Sequence, residues 1–446
     1  MNNISEGLVK LDMEKFQPKP AIASNWEEIE KDKEYIFSIR SNAYFSNGDR
    51  ILNEDIVYSL ERILALNSIE ITTIDLNNRK IKISLSEKLD NFISYLGTPR
   101  FSIVKKGTYE FEGDNTFPSC FSGTFKIKYV DSKILVLEKN PYHRLFDEIE
   151  LDKVTFIKIT NALERLNFFQ TESQNDDNQI NYYFLNHGPV SMYEELKGME
   201  ELNPTPVMGT IVLTLNHENE LLRNINVRKM ISLAIDREEL IRKTEPYLKP
   251  AYSLIPKNII DSKAEFINDL IQIPIVSSSF DEVLEENNLN RSSLTLIVIN
   301  HEHQILKARL IKQQLKQQLN LDIIVKPLDW GNYVTAIDEQ NYDMLCETWN
   351  SEIGDIASYL FPLTSGNTFN TSNYNNPKFE SLLMEGINTE DNMLKLQKYQ
   401  NAEQILLDDM VVVPLFFETH FSFFDKKIKS IKLSKNGILE VESIHI

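Results

Sequence analysis

A chain of 446 residues is long enough for two or three compact units, and its 42% hydrophobic and 25% charged residues describe a folded, water-soluble protein. Its 47 Lys and Arg against 66 Asp and Glu leave a formal charge of −19, which repels phosphate backbones and argues against a broad nucleic-acid-binding face. The longest apolar run, Met410–Phe417, is broken by Pro414 and falls far below the roughly 20 residues that span a bilayer, so no membrane insertion is expected.

The first ten residues, MNNISEGLVK, show no basic region followed by an apolar one, so no secretion signal is read in the chain as given. Residues 33–40 (KEYIFSIR) alternate Tyr35, Phe37 and Ile39 with polar neighbours, the period of a half-buried strand. After a turn at 46–49 (SNGD), Asn53 is placed to cap a helix with Ile56, Val57, Leu60, Ile63 and Leu64 on one face. Segments 69–75 and 79–85 read as a hairpin around Asn77-Asn78, and 123–130 with 133–139 as another turning at Asp131-Ser132.

The polar stretch 170–181 (QTESQNDDNQIN) is expected as a surface loop, and Thr210–Leu215 as a compact strand. Two helices fill 224–243, with Asp236 capping the second and Glu239 completing a capping box. From 293 to 348, strand (Leu294–Ile299), helix (304–319), strand (Asp322–Val325), short helix (Tyr333, Val334, Ile337) and strand (Tyr342–Thr348) alternate as βαβ units of a parallel sheet do. A helix over 394–407 and a buried strand over Val411–Phe416 follow.

Motifs for catalysis and cofactors are absent: no glycine-rich nucleotide loop, nucleophile elbow, C-x-x-C or H-E-x-x-H occurs, so no enzyme and no cofactor is expected. Cys120 and Cys346 stand far apart, which excludes a disulfide framework and leaves one bridge open if their Cα atoms approach. His301 and His303, at i and i+2 of an extended segment, point to one side and could share a metal, although no third ligand of matching spacing stands nearby.

Six segments in order carry a resemblance. They are 35–62 (YIFSIRSNAYFSNGDRILNEDIVYSLER), 122–142 (SGTFKIKYVDSKILVLEKNPY), 227–241 (VRKMISLAIDREELI), 342–349 (YDMLCETW), 373–379 (NYNNPKF) and 413–416 (VPLF). Together they resemble family 5 of the bacterial extracellular solute-binding proteins, the dipeptide- and oligopeptide-binding group. The resemblance implies an α/β, two-lobed periplasmic-binding-protein-like fold of type II, with hinge strands between lobes that close over a ligand. It places lobe I at 1–213 plus 418–446, with a strand-rich subdomain at 33–118, and lobe II at 214–417. The crossings are expected near Leu213–Asn216 and Leu415–Glu418. Ile4–Leu8 looks like a helix that the family reaches only after a signal segment and its first strand.

The segment Trp349-Asn350-Ser351-Glu352-Ile353-Gly354-Asp355 resembles the family's W-x-x-D-x-x-D, whose first acid receives the ammonium of a bound peptide. Here that acid is Glu352, one methylene longer than Asp. The implied ligand-binding residues are Trp349, Glu352 and Asp355, with Asn216 at the first crossing. The implied function is the substrate-binding component of an ABC importer: a monomer, periplasmic or at the cell surface, that hands a peptide or small cationic solute to a permease. Two other readings stay open, a cytoplasmic ligand-sensing regulator on the same fold and a nickel carrier built on His301 and His303.

Overall fold

The computed structural model describes residues 3–12, 15–64, 71–76, 79–86, 88–108, 120–174, 182–185, 192–256, 278–431, 433–435 and 439–446. The chain divides into two compact units, Met1–Leu185 with Phe424–Ile446, and Asn186–Phe423.

In the first unit, strands Ala23–Glu30, Glu34–Ile39, Lys80–Leu85 and Ile71–Asp75 form an antiparallel sheet in that order. Tyr35, Phe37 and Ile39 point into the core from one strand, Ile81 and Ile83 from the next, as the two-residue period requires. The expected turn at Asn77-Asn78 lies outside the described residues. Helix Asn53–Leu64 buries Ile56 and Leu60 against this core. Its capping differs from expectation: Asp55, not Asn53, accepts the Leu52 N–H at 2.9 Å, while the Asn53 amide reaches across to Asp75 at 2.8 Å. A second antiparallel sheet joins Phe125–Val130, Ile134–Lys139 and Lys153–Ile157.

Ile4–Leu8 is not a helix. The Phe125 and Gly123 N–H groups donate to the Asn3 and Ile4 carbonyls at 2.9 and 3.0 Å, and the chain continues extended into the strand Val9–Leu11. Glu6 explains the extended path, because its carboxylate is buried and held by both Arg144 guanidinium nitrogens, with His143 Nε2 at 3.5 Å. The expected loop at 170–181 is also corrected in part, since residues 170–174 continue helix Ala162–Gln174 and 175–181 lie outside the described residues.

In the second unit, strands Val412–Phe424, Leu202–Leu215, Met344–Asn350, Leu294–Ile299 and Ile323–Leu328 lie side by side in that order. The last three run parallel, as their intervening helices Glu302–Leu319 and Trp330–Asp338 dictate, and Leu202–Leu215 pairs antiparallel on both sides. One face buries Leu213, Leu215, Leu294, Leu296, Met344 and Cys346 against helices Ile225–Ala234, Arg237–Thr244 and Glu302–Leu319. The strands expected to carry the crossings, Leu213–Asn216 and Leu415–Glu418, belong to this unit. Asp236 caps helix Arg237–Thr244 as expected, accepting the Glu239 N–H at 2.9 Å, but Glu239 does not close a capping box. The Asp236 N–H goes instead to Gln314 Oε1 of the neighbouring helix at 3.1 Å. Both cysteines are free and buried. Among the described residues no helix is long and apolar enough to cross a membrane.

Candidate ligand-binding site

Side chains alternate across a strand, so the face of Met344–Asn350 opposite the helix-packed core presents Leu345, Glu347 and Trp349. The register with Leu202–Leu215 sets Thr214, Val212 and Thr210 directly opposite these three. A sheet face expected to be apolar thus carries two hydroxyls, a carboxyl and an indole.

Glu347 is partly buried, and its Oε1 accepts hydrogen bonds from the hydroxyls of Thr214 and of Thr371, the latter at 2.9 Å. Burial raises its pKa, opposed by those two hydroxyls and by a weaker pull from the Trp349 indole. Tyr342 donates its hydroxyl to the Thr371 carbonyl at 2.7 Å, which ties the loop bearing Thr371 to the start of the strand. The Thr210 hydroxyl is fully buried and meets no hydrogen-bond partner among the described residues.

Trp349 sits at the end of this strand, 9% exposed. Glu352 is exposed in the turn that follows and forms no hydrogen bond or ion pair among the described residues. Asp355 shapes the turn: its N–H donates to the Ser351 hydroxyl at 2.9 Å, and its carboxylate accepts the Ala357 N–H at 3.3 Å. Asn216 is buried, with its amide donating to the Tyr342 carbonyl at 3.2 Å and its oxygen accepting from Asn373 at 3.0 Å. Trp349, Glu352 and Asp355 therefore share one strand end, whereas Asn216 lies beside the opposite end of that strand, next to Tyr342, and already has partners within the protein.

His301 and His303 do not lie on an extended segment. His301 is the N-cap of helix Glu302–Leu319 and His303 is inside its first turn, their rings stacked 5.8 Å apart. Among the described residues no group of three His, Cys, Asp or Glu side chains is placed to hold an ion. In the first unit a cavity of about 570 Å³ is lined by charged groups including Lys10, Arg144, Glu440 and Glu442. Lys10 is paired with Glu440 and Glu442, and Arg144 with Glu6.

Sequence reading alone missed Glu347 and its threonines. The signal was present: a carboxyl inside the apolar run MLCETW of a central strand is out of place in a sheet core.

The family model for the bacterial extracellular solute-binding proteins, family 5, matches residues 17–371. The chain belongs to that family. It is similar to the dipeptide-binding protein DppE of Bacillus subtilis, 23% identical over 485 residues that span 99% of this chain and 86% of the relative. Among solved structures, the pheromone receptor PrgZ, whose structure describes its mode of peptide binding, superposes with a TM-score of 0.86 at 22% identity, covering 100% of this chain and 94% of the other. OppA of Listeria monocytogenes bound to peptide gives 0.86 at 19% identity, covering 100% and 93%. The fold is that of the type II periplasmic peptide-binding proteins.

Proposed function

We propose that this solute-binding protein is the substrate-binding component of an ABC importer, that it captures a small peptide or related cationic solute outside the cytoplasm, and that it delivers the solute unchanged to a membrane permease. The observation that carries this reading is the family match across residues 17–371, supported by likeness to a dipeptide-binding relative and to a structure with bound peptide. In this reading the protein acts as a monomer. Trp349 offers apolar area and an aromatic face to the ligand, and Glu352 receives its positive end from an exposed turn. Asp355 and Asn216 hold that turn and the strand beside it in place.

Thermal unfolding against a library of di- to pentapeptides, with nickel as a separate arm, tests the reading. A peptide at 100 times its dissociation constant adds about 2.7 kcal/mol to stability and raises the midpoint accordingly. The expected result is a peptide-dependent rise that Glu352→Gln reduces. A rise with nickel and none with any peptide would replace this reading with the metal carrier.

A further inference from the structure

Glu347 lies on a central strand, flanked by Leu202–Leu215 on one side and Leu294–Ile299 on the other. A carboxylate in such a place is costly unless a cation or a full set of donors meets it. No cation of the described residues forms an ion pair with it. Its close donors are two threonine hydroxyls, both on the same oxygen, Oε1, and the Trp349 indole N–H adds only a weaker pull. Among the described residues Oε2 accepts no close hydrogen bond, and the residue keeps part of its surface open. One oxygen is thus clamped by two hydroxyls, and the other has no close donor among the described residues.

The surroundings suit a positive visitor. Trp349, two residues along on the same face, offers an aromatic surface to a cation. Thr210, directly opposite Trp349, has a buried hydroxyl without a partner among the described residues. Glu352, by contrast, is exposed and unheld, so water and salt weaken its discrimination between charged and neutral ligands.

We propose, building on the peptide-binding reading, that Glu347 receives a primary ammonium group of the bound solute on Oε2, while Thr214 and Thr371 fix the carboxylate through Oε1. The occupancy of Oε1 sets the chemistry. A guanidinium bonds best across both oxygens of a carboxylate, whereas an ammonium is a compact charge that one oxygen can receive. The site therefore favours ammonium over guanidinium. That ammonium belongs either to a lysyl side chain, with the peptide's N-terminus left to Glu352, or to the N-terminus itself, in which case Glu347 takes the place proposed above for Glu352.

Calorimetric titration with four matched peptides separates these sources: Ala-Lys-Ala, Ala-norleucine-Ala, Ala-Arg-Ala and N-acetyl-Ala-Lys-Ala, each with the wild-type chain, Glu347→Gln and Glu352→Gln. The expected result is at least tenfold weaker binding when the ammonium that Glu347 receives is removed, by norleucine if it is the side chain and by acetylation if it is the terminus. Glu347→Gln should abolish that difference while leaving the unfolding midpoint close to wild type, because the amide oxygen can still accept from both threonines. If the ammonium is the side chain, Ala-Arg-Ala should bind more weakly than Ala-Lys-Ala. Equal binding of all four peptides by the wild-type chain overturns the proposal without recourse to any variant. So does a charge preference that survives in Glu347→Gln and disappears only in Glu352→Gln, a result that leaves the peptide-binding reading standing. Failure of all four to bind where longer peptides also fail overturns both together.

Discussion

Lys307 reaches into the core of the second unit with no exposed side-chain surface, and its Nζ lies 2.7 Å from Glu245 Oε2. It also sits 5.3 Å from the ring centroid of Phe416. Burial alone would lower its pKa, but Glu245, with smaller contributions from Cys346 and Glu418, outweighs burial and the net direction is upward. Such a pair gives little net stability when whole, and breaking it leaves an uncompensated charge in an apolar core. Glu245→Leu is therefore expected to cost about 3–5 kcal/mol in urea denaturation. The double variant Lys307→Met with Glu245→Leu should recover most of that loss, because no buried charge remains. A double variant as unstable as the single one would show that the cost lies in the packing around Glu245 and not in the stranded ammonium. Gly48 is a second residue with a definite reason. Its φ is +89°, and a Cβ there would stand 3.1 Å from the Tyr142 ring. Two residues noted separately in the sequence, a turn glycine and the tyrosine after Asn140-Pro141, are thus one contact.

At the level of elements, what the sequence disclosed was periodicity, and what it hid was partnership. The alternation from 293 to 348 located three parallel strands and two helices to within a few residues, because each buries one regular stripe. Strand Ala23–Glu30 escaped notice since only Ala23 among its residues is buried, while Glu27, Glu28 and Glu30 leave it with the charged character of an edge. Helix Ala162–Gln174 ends in polar residues that read as a loop. The capping of Arg237–Thr244 makes the same point. Asp236 and Glu239 were visible as a motif, but Gln314, 78 residues away, takes the Asp236 N–H and donates to Glu239 Oε2 at 2.8 Å. Gln314→Leu strips a part-buried N–H of its acceptor and also removes the bond to Glu239, and is expected to cost about 1–1.5 kcal/mol. Glu239→Ala, which leaves the N-cap bonds intact, should cost less than 1 kcal/mol by the measure of an exposed i,i+4 pair with Lys243. Thermal unfolding of the two variants decides: the reverse order would restore Glu239 as the capping partner. The candidate site follows this division too, since Trp349 and Glu352 were legible as a motif and the Glu347–Thr214–Thr371 cluster needed the fold to assemble it.

The two units carry buried titratable groups of opposite kinds, and acid should therefore act on them over different ranges. In the second unit His217 is partly buried beside Tyr374, and burial with the nearby Arg228 pushes its pKa down from 6.5 to about 3. The unfolded chain then binds this proton first, so stability declines as pH falls from 6.5 toward 3. Glu347 works the other way: its raised pKa lets the folded form take up a proton before the unfolded one, which offsets part of the loss as pH falls toward 4.5. In the first unit Glu6 is strongly buried, yet its hydrogen bonds from His143 and Arg144 outweigh that burial and bring its pKa from 4.5 to about 2. Its contribution is intact above 4.5 and lost only below, as pH falls toward 2. Between pH 7.5 and 5 the second unit should lose up to about 2 kcal/mol through His217 while the first loses almost nothing. Hydrogen exchange read by mass spectrometry at several pH values, corrected for the intrinsic rate, resolves the two units within one chain. His217→Gln should flatten the response of the second unit above pH 5 and leave that of the first unchanged. Parallel loss of protection in both units from pH 6.5 downward, or an unchanged slope in His217→Gln, would place the acid sensitivity in some other group.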